Sequence, residues 1–196
     1  METYMPMFDS IEAEALRLYR EGDARSPLAN AERLMRLDGL MMHCPEHHYI
    51  VPAALLLAAH SEAGSDAARV GRDLALAKTR AMNVPGGSCG NSGCCGAAVG
   101  AGIFLSIWRK VNPKSNENWS LVNRLTAACL NRVATVEGPR CCKRVTYLTL
   151  MEAVEFCARE TDVRLEPPGN IVCGWFPRNK ECRKTACPFF PKKKAE

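Results

Sequence analysis

The chain has 196 residues, of which 47% are hydrophobic and 24% charged, and its formal net charge is +5 at pH 7. This length suffices for one domain with a substantial core, and no apolar run reaches the ~18 residues that a membrane span needs. The N-terminus lacks the basic and apolar regions of a secretory signal, so we expect a cytoplasmic protein with no membrane role. The basic cluster Lys192–Lys194 is typical of a solvated terminus, so a nucleic-acid partner is not expected.

The first part of the chain predicts four helices separated by glycine and proline breaks. Ser10, Ser26 and Ser65 precede three of them and are placed to cap them. Pro52 either begins or kinks the third, which is almost wholly apolar. The predicted helices span residues 11–21, 27–38, a part of 41–60, and 66–82.

Residues 86–108, with the sequence GGSCGNSGCCGAAVGAGIFLSIW, are the stretch around which the rest of the chain is organised. A glycine-rich loop carries Cys89, Cys94 and Cys95 and leads into a small, apolar helix predicted over residues 97–108. A helix N-terminus presents unpaired N–H groups and partial positive charge, which favour anions, including thiolates. We interpret this stretch as the heart of a metal-cluster or reactive-thiol site.

The second part predicts helices over residues 117–135 and 145–160, and strand signals are weak throughout. After Pro167-Pro168-Gly169 the apolar residues show no clear periodicity, and the segment is rich in proline and cysteine. We therefore predict an all-α bundle of about six to seven helices, residues 1–165, followed by an irregular Cys-rich appendix, residues 166–196.

Eleven cysteines, including the adjacent pairs Cys94-Cys95 and Cys141-Cys142, fit a fully paired disulfide framework poorly. In a cytosolic protein they suggest metal, cluster or redox chemistry. Cys129 and Cys157 lie within helices among apolar residues and are expected in the core. The other nine lie in loops or at helix starts.

Three predicted helix starts carry thiols, and Arg140, Lys143 and Arg144 add positive charge near one of them. If these starts converge, they form an electropositive pocket that stabilises thiolates or a bound anion and lowers thiol pKa values. The candidate cofactor-binding residues are Cys89, Cys94, Cys95, Arg140, Cys141 and Cys142.

The C-terminal group is Cys173-x8-Cys182-x4-Cys187-Pro188. Thiols in such a short, irregular segment are typical of metal ligands, because a bound metal can stabilise a segment that is too short to form its own core. A proline after the last cysteine also occurs in ferredoxin-type cluster motifs, although the tight C-x2-C spacing of ferredoxins and zinc knuckles is absent. An iron–sulfur cluster is favoured, with zinc as the alternative and a metal-free segment also open. Either a fourth ligand comes from the body of the chain, with Cys44 as the candidate, or one metal position stays open.

Cys44 stands among His43, Glu46, His47 and His48. His47 or His48 can serve as a proton donor, a metal ligand or a base for a neighbouring thiol, with Glu46 orienting the ring. The candidate catalytic residues are Cys44, Glu46, His47 and Cys95.

Four motifs, CPEHHYIVPAALL, GGSCGNSGCCGAA, GPRCCKRVTYL and NKECRKTACPFF, together resemble domain-of-unknown-function family 5714, a Cys-rich family associated with anaerobic microbes. The resemblance runs from about Met42 to Pro191 and implies one shared Cys-rich site without supplying a reaction. Its implied members are Cys44, Cys89, Cys94, Cys95, Cys141, Cys142, Cys173, Cys182 and Cys187. The triplet Cys94-Cys95-Gly96 is also similar to the CCG motif of heterodisulfide-reductase-type cluster proteins, but the second half of their pattern does not follow.

Three functions remain open from the sequence. The first is an iron–sulfur protein that handles electrons or sulfur with a redox or sulfur-transfer partner protein. The second is a non-catalytic, zinc-stapled helical module that binds a small anionic ligand or a partner. The third is a metal-free thiol enzyme with Cys95 or Cys44 as nucleophile.

Overall fold

A computed structural model describes residues 5–192, and within this range the protein has eight α-helices and no β-strand, which confirms the all-α prediction. The helices are α1 (Met5–Arg20), α2 (Pro27–Met35), α3 (His47–Glu62), α4 (Ala67–Met82), α5 (Ser88–Asn91), α6 (Gly96–Trp108), α7 (Trp119–Ala134) and α8 (Cys142–Glu160). Two 3-10 turns follow, Phe176–Arg178 and Lys184–Ala186. Among the helices of this range, none combines the length and the apolar character that crossing a bilayer requires.

Two of the predicted serine caps have other roles. Ser10 lies inside α1, where its hydroxyl donates to the Pro6 carbonyl oxygen at 2.9 Å, because the helix begins before the predicted start. The hydroxyl of Ser65 pairs with Nδ1 of His60 at 2.9 Å, and the carboxylate of Asp66 caps α4 instead. Helix α8 begins at Cys142, three residues before the predicted residue 145, so that its first turn carries a thiol.

Helices α3 and α6 form the centre of the bundle. Every residue of α3 from His47 to His60 is buried, and α3 contacts α1, α2, α4, α6 and α8. Pro52 lies within α3, which begins five residues earlier, so the proline is internal to the helix rather than its start. Helix α6 is made largely of small residues and contacts α3, α4, α7 and α8. The close approach of α3 and α6 brings their N-terminal ends together.

The segment after α8 packs back onto that helix. The indole N–H of Trp175 donates to the Tyr147 hydroxyl at 3.1 Å, and the Phe189 ring lies edge-on to Tyr147 with centroids 5.3 Å apart. Trp175 and Phe189 are both buried, so this irregular segment shares the core of the bundle. Of the basic cluster predicted to be a solvated terminus, Lys193 and Lys194 lie outside the described residues.

Candidate functional site

The N-termini of α3, α6 and α8 meet around a cavity of about 290 Å³, here called the helix-start pocket. The first two residues of α3 contribute His47 and His48, and Cys95 precedes the first residue of α6. Cys141 and Cys142 stand at the start of α8. The remaining lining residues of this pocket are Cys89, Gly90, Gly96, Ala97, Val133, Val136, Gly138, Arg140, Arg144 and Val145.

The pocket brings together most, but not all, of the residues singled out from the sequence. Cys89, Cys95, Arg140, Cys141, Cys142 and His47 all line it. Cys94 instead lines a separate depression beside Val84 and Val99. Cys95 has an extended backbone, and neighbouring side chains along extended backbone project to opposite sides, which accounts for the separation of this pair.

Cys44 lies behind the pocket, against the ring of His47. Nδ1 of His47 is 3.1 Å from the carbonyl oxygen and 3.2 Å from Sγ of Cys44. His47 is 1% exposed, and among the described residues its Nε2 has no hydrogen-bond partner. Burial lowers the pKa of His47 well below its usual value, so the ring is neutral. The Cys44 carbonyl, rather than the predicted Glu46, therefore orients this imidazole.

His48 is held in the same way by a residue that sequence reasoning did not include. Its Nδ1 lies 3.2 Å from the Val84 carbonyl oxygen, and burial lowers its pKa. The ring rests on Gly96, where the Cβ of any other residue would overlap it. The glycine that opens α6 thus makes the space in which His48 reaches the pocket.

His43, which the sequence placed near Cys44 without a role, connects the start of α8 to the C-terminal segment. Its Nδ1 accepts from the backbone N–H of Cys142 at 3.4 Å, and its Nε2 lies 3.2 Å from Oδ1 of Asn179. The signal that could have identified it is its position directly before the motif CPEHHYIVPAALL, which already contains two other histidines.

Four thiols at the pocket do not have the lowered pKa values that the sequence predicts. Burial raises the pKa of Cys44, Cys95 and Cys141, and it raises that of Cys142 to about 11. The backbone N–H groups of Ala97 and Ala98 lower the pKa of Cys95, but burial outweighs them. Helix ends alone therefore do not keep these thiols ionised in the metal-free protein.

We expect Cys142 of the metal-free folded protein to alkylate slowly. A pKa of about 11, against 9.0 for an ordinary thiol, leaves about 100-fold less thiolate at pH 8. The iodoacetamide rate at Cys142, followed by mass spectrometry, should therefore be about 100-fold below the rate in the urea-unfolded chain. It should keep rising about tenfold per pH unit beyond pH 9, and a plateau below pH 9 would contradict this expectation.

A second, smaller cavity lies on the other side of Cys141. Its volume is about 20 Å³, and four thiols line it, those of Cys141, Cys173, Cys182 and Cys187. We call it the four-thiol cavity. The body of the chain thus contributes Cys141 to the C-terminal group, whereas the candidate Cys44 stands with His47 instead.

Hydrogen-bond donors face three of these sulfur atoms. The backbone N–H of Trp175 lies 3.4 Å from Sγ of Cys173, and that of Lys184 lies 3.3 Å from Sγ of Cys182. The side-chain amide of Asn179 donates to Sγ of Cys141 at 3.5 Å. Such donors stabilise negative charge on sulfur, which is the charge state of a thiolate ligand.

All eleven cysteines lie within the described residues, and all are free thiols. Cys129 and Cys157 are fully buried in the core, as expected. Within residues 5–192, no three His, Cys, Asp or Glu side chains are already grouped as a metal site. Metal binding at either cavity would therefore require rotation of cysteine side chains, each of which has three staggered rotamers.

Comparison with known proteins leaves the activity open. No curated protein and no solved structure matches the chain. A family model described as a family of unknown function, DUF5714, matches residues 16–190, a range that includes both cavities and both the helical and the Cys-rich parts. The chain therefore belongs to the DUF5714 family.

Proposed function

We propose that this protein binds an iron–sulfur centre through Cys141, Cys173, Cys182 and Cys187, and handles electrons or sulfur in the adjacent helix-start pocket. The observation that supports this most directly is that four thiols from two distant parts of the chain line one cavity. Four cysteine thiolates are the usual ligand set of such centres. When bound, such a centre takes up and releases single electrons.

The position of Cys141 supports the link between the two cavities. This residue lines both of them, and Cys142 continues the chain into the helix-start pocket. A reaction at Cys142 in the pocket would therefore take place next in sequence to Cys141, a proposed ligand of the metal centre. Arg140 is exposed and lines the pocket, where it can attract a small anionic ligand or an acidic patch of a redox or sulfur-transfer partner protein.

The pKa directions favour metal-bound thiols over a metal-free thiol enzyme. Burial raises the pKa of both proposed nucleophiles, Cys44 and Cys95. A metal ion deprotonates a coordinating thiol outright, whereas a free nucleophile with a raised pKa is mostly protonated at neutral pH. Eleven free thiols also fit a reducing compartment such as the cytoplasm, where we propose that the protein acts.

One observation favours zinc as a second candidate for the same ligands. The four-thiol cavity measures about 20 Å³, which is the space of a single small ion rather than of a cluster. Structural zinc sites are closed and commonly have four cysteine ligands. In that case a zinc ion holds the segment after α8 against the helical bundle, and the protein is a non-catalytic binding module.

Anaerobic purification followed by iron, sulfide and zinc analysis tests the proposal. We expect a coloured protein with iron and acid-labile sulfide, both of which Cys182→Ser greatly reduces. The matched control is Cys157→Ser, which removes a thiol buried in the core and should retain the metal. Colourless protein without iron would overturn the iron–sulfur proposal, and stoichiometric zinc lost in Cys182→Ser would support the zinc candidate in its place.

A further inference from the structure

We propose that the helix-start pocket binds a metal ion of its own, of the class that takes mixed nitrogen and sulfur ligands, through Nε2 of His47 and the thiols of Cys95 and Cys142. This ion is separate from the centre at the four-thiol cavity. The inference rests on the proposed function in taking this pocket as the place where chemistry occurs, and it names what the pocket holds.

The hydrogen bonding of His47 gives the strongest argument. The carbonyl oxygen of Cys44 can only accept, and the Cys44 thiol, 3.2 Å from the same nitrogen, donates instead to the carbonyl oxygen of Met41 at 3.5 Å. Nδ1 of the neutral ring therefore carries the proton and donates to the Cys44 carbonyl at 3.1 Å. Nε2 then carries a lone pair and has no partner among the described residues, and the ring, which is 1% exposed, lines the pocket. A buried acceptor without a partner is costly. A backbone carbonyl on the other ring nitrogen is the usual support of a metal-ligating histidine.

Thiols at the other two helix starts line the same pocket, among them those of Cys95 and Cys142. Cys95 immediately precedes α6 and Cys142 is the first residue of α8, so both stand where helix N-termini stabilise a thiolate. The backbone N–H of Cys44 and the charge of Arg140 add to this stabilisation at Cys142. Binding of a divalent ion would displace one proton from each thiol to solvent, and the two thiolates would balance the charge of the ion. Nitrogen and sulfur together favour zinc, iron(II) or cobalt(II).

The size of the pocket indicates an accessible ion rather than a closed structural one. The cavity of about 290 Å³ is far larger than one ion, and Ala97, Val133 and Val136 form apolar walls beside the three ligands. Three protein ligands leave a fourth position for water or a small ligand, which is the arrangement of catalytic rather than structural sites. The two cavities thus differ in ligand number and in free space, since the smaller one has four thiols and little room for a further ligand.

Anaerobic titration of the reduced, metal-free full-length chain with cobalt(II) tests this inference. Thiolate-to-cobalt charge-transfer absorption and visible d–d bands report tetrahedral binding by sulfur and nitrogen. We expect two equivalents to bind to the wild-type chain. His47→Asn should bind only one, because the asparagine amide can still donate to the Cys44 carbonyl but does not reach the position of Nε2. Cys182→Ser should lose the other equivalent and keep the band of the pocket ion.

The control for His47→Asn is His60→Asn, since His60 is also buried but both of its ring nitrogens are paired, with Ser65 and Asp73. Circular dichroism checks that each variant is folded. If Cys142→Ser and His47→Asn both keep two equivalents with wild-type spectra, the inference is overturned. If the wild-type chain binds a single equivalent that Cys182→Ser abolishes, the inference is also overturned while the proposed function stands. If no cobalt binds at all, the inference is overturned, whereas the iron and sulfide content of the anaerobically purified protein decides the proposed function.

Discussion

Cys141→Ser is expected to weaken metal binding at the four-thiol cavity by roughly a hundredfold or more, about 3 kcal/mol. Cys141 is the only one of the four lining thiols that comes from the helical body, so its loss removes the bond that would tie the C-terminal segment to α8. The measurement is competition of each purified variant against a chromophoric chelator, with metal content determined in parallel.

The adjacent residue provides a matched control. Cys142 is next to Cys141 at the start of the same helix, but it lines the helix-start pocket and not the four-thiol cavity. Cys142→Ser should therefore retain the metal at the four-thiol cavity with an affinity within a few-fold of the wild type. Equal losses in the two variants would mean that the two cavities do not act as separate sites, and no loss in Cys141→Ser would exclude Cys141 as a ligand.

The effect of Cys141→Ser should extend to the wall of the larger pocket. The guanidinium of Arg183, which lies between Cys182 and Cys187 in the sequence, donates to the carbonyl oxygen of Gly138. Gly138 lines the helix-start pocket, so the C-terminal segment supports one wall of that pocket. Release of the segment should raise hydrogen exchange at residues 137–140 as well as at residues 170–190, a coupling that Cys142→Ser should not show.

The grouping of thiols at helix starts could be predicted from sequence because its causes are local. Glycine, proline and cysteine at the breaks before residues 97 and 145 indicated helix starts that carry thiols, and α6 and α8 begin within three residues of those positions. That Cys141 also lines the four-thiol cavity, whereas Cys142 does not, could not be predicted. It depends on where the segment around Cys173 packs, and periodicity says nothing about the packing of an irregular segment.

The pKa values of the pocket thiols could not be predicted from the sequence either. Helix dipoles and nearby arginines are visible in a sequence, and they favour thiolates. Burial is not visible, and at Cys95 and Cys142 it is the larger effect and raises the pKa. The role of the Cys44 carbonyl was hidden for a similar reason, since a backbone atom that orients a side chain leaves no mark in the residue pattern. Glu46 looked like the natural partner of His47, but one of its carboxylate oxygens is buried without a partner among the described residues.

Gly100→Ala is expected to destabilise the protein by about 2 kcal/mol, although alanine is the better helix former by about 1 kcal/mol. A Cβ at Gly100 would lie 2.8 Å from the carbonyl oxygen of His48 and 2.8 Å from Cδ of Pro52. Both atoms belong to the backbone or to a rigid ring, so neither can move without shifting α3. Pro52 has no N–H to donate to the His48 carbonyl one turn earlier, so the added Cβ would meet α3 where the helix lacks this backbone hydrogen bond.

Gly71→Ala is the matched control, because Gly71 also lies inside a helix, α4, but its Cβ would meet only Cδ2 of Leu16 at 3.8 Å. We expect that variant to be as stable as the wild type or more stable by about 0.5–1 kcal/mol. Urea unfolding of the metal-free chains, monitored by circular dichroism, measures both changes. Because His47 lies on α3 and Cys95 at the start of α6, a shift of these helices also separates two of the proposed ligands of the helix-start pocket. Gly100→Ala should therefore weaken cobalt binding in that pocket while Gly71→Ala leaves it unchanged, and equal stability of the two variants would show that α3 and α6 do not depend on this contact.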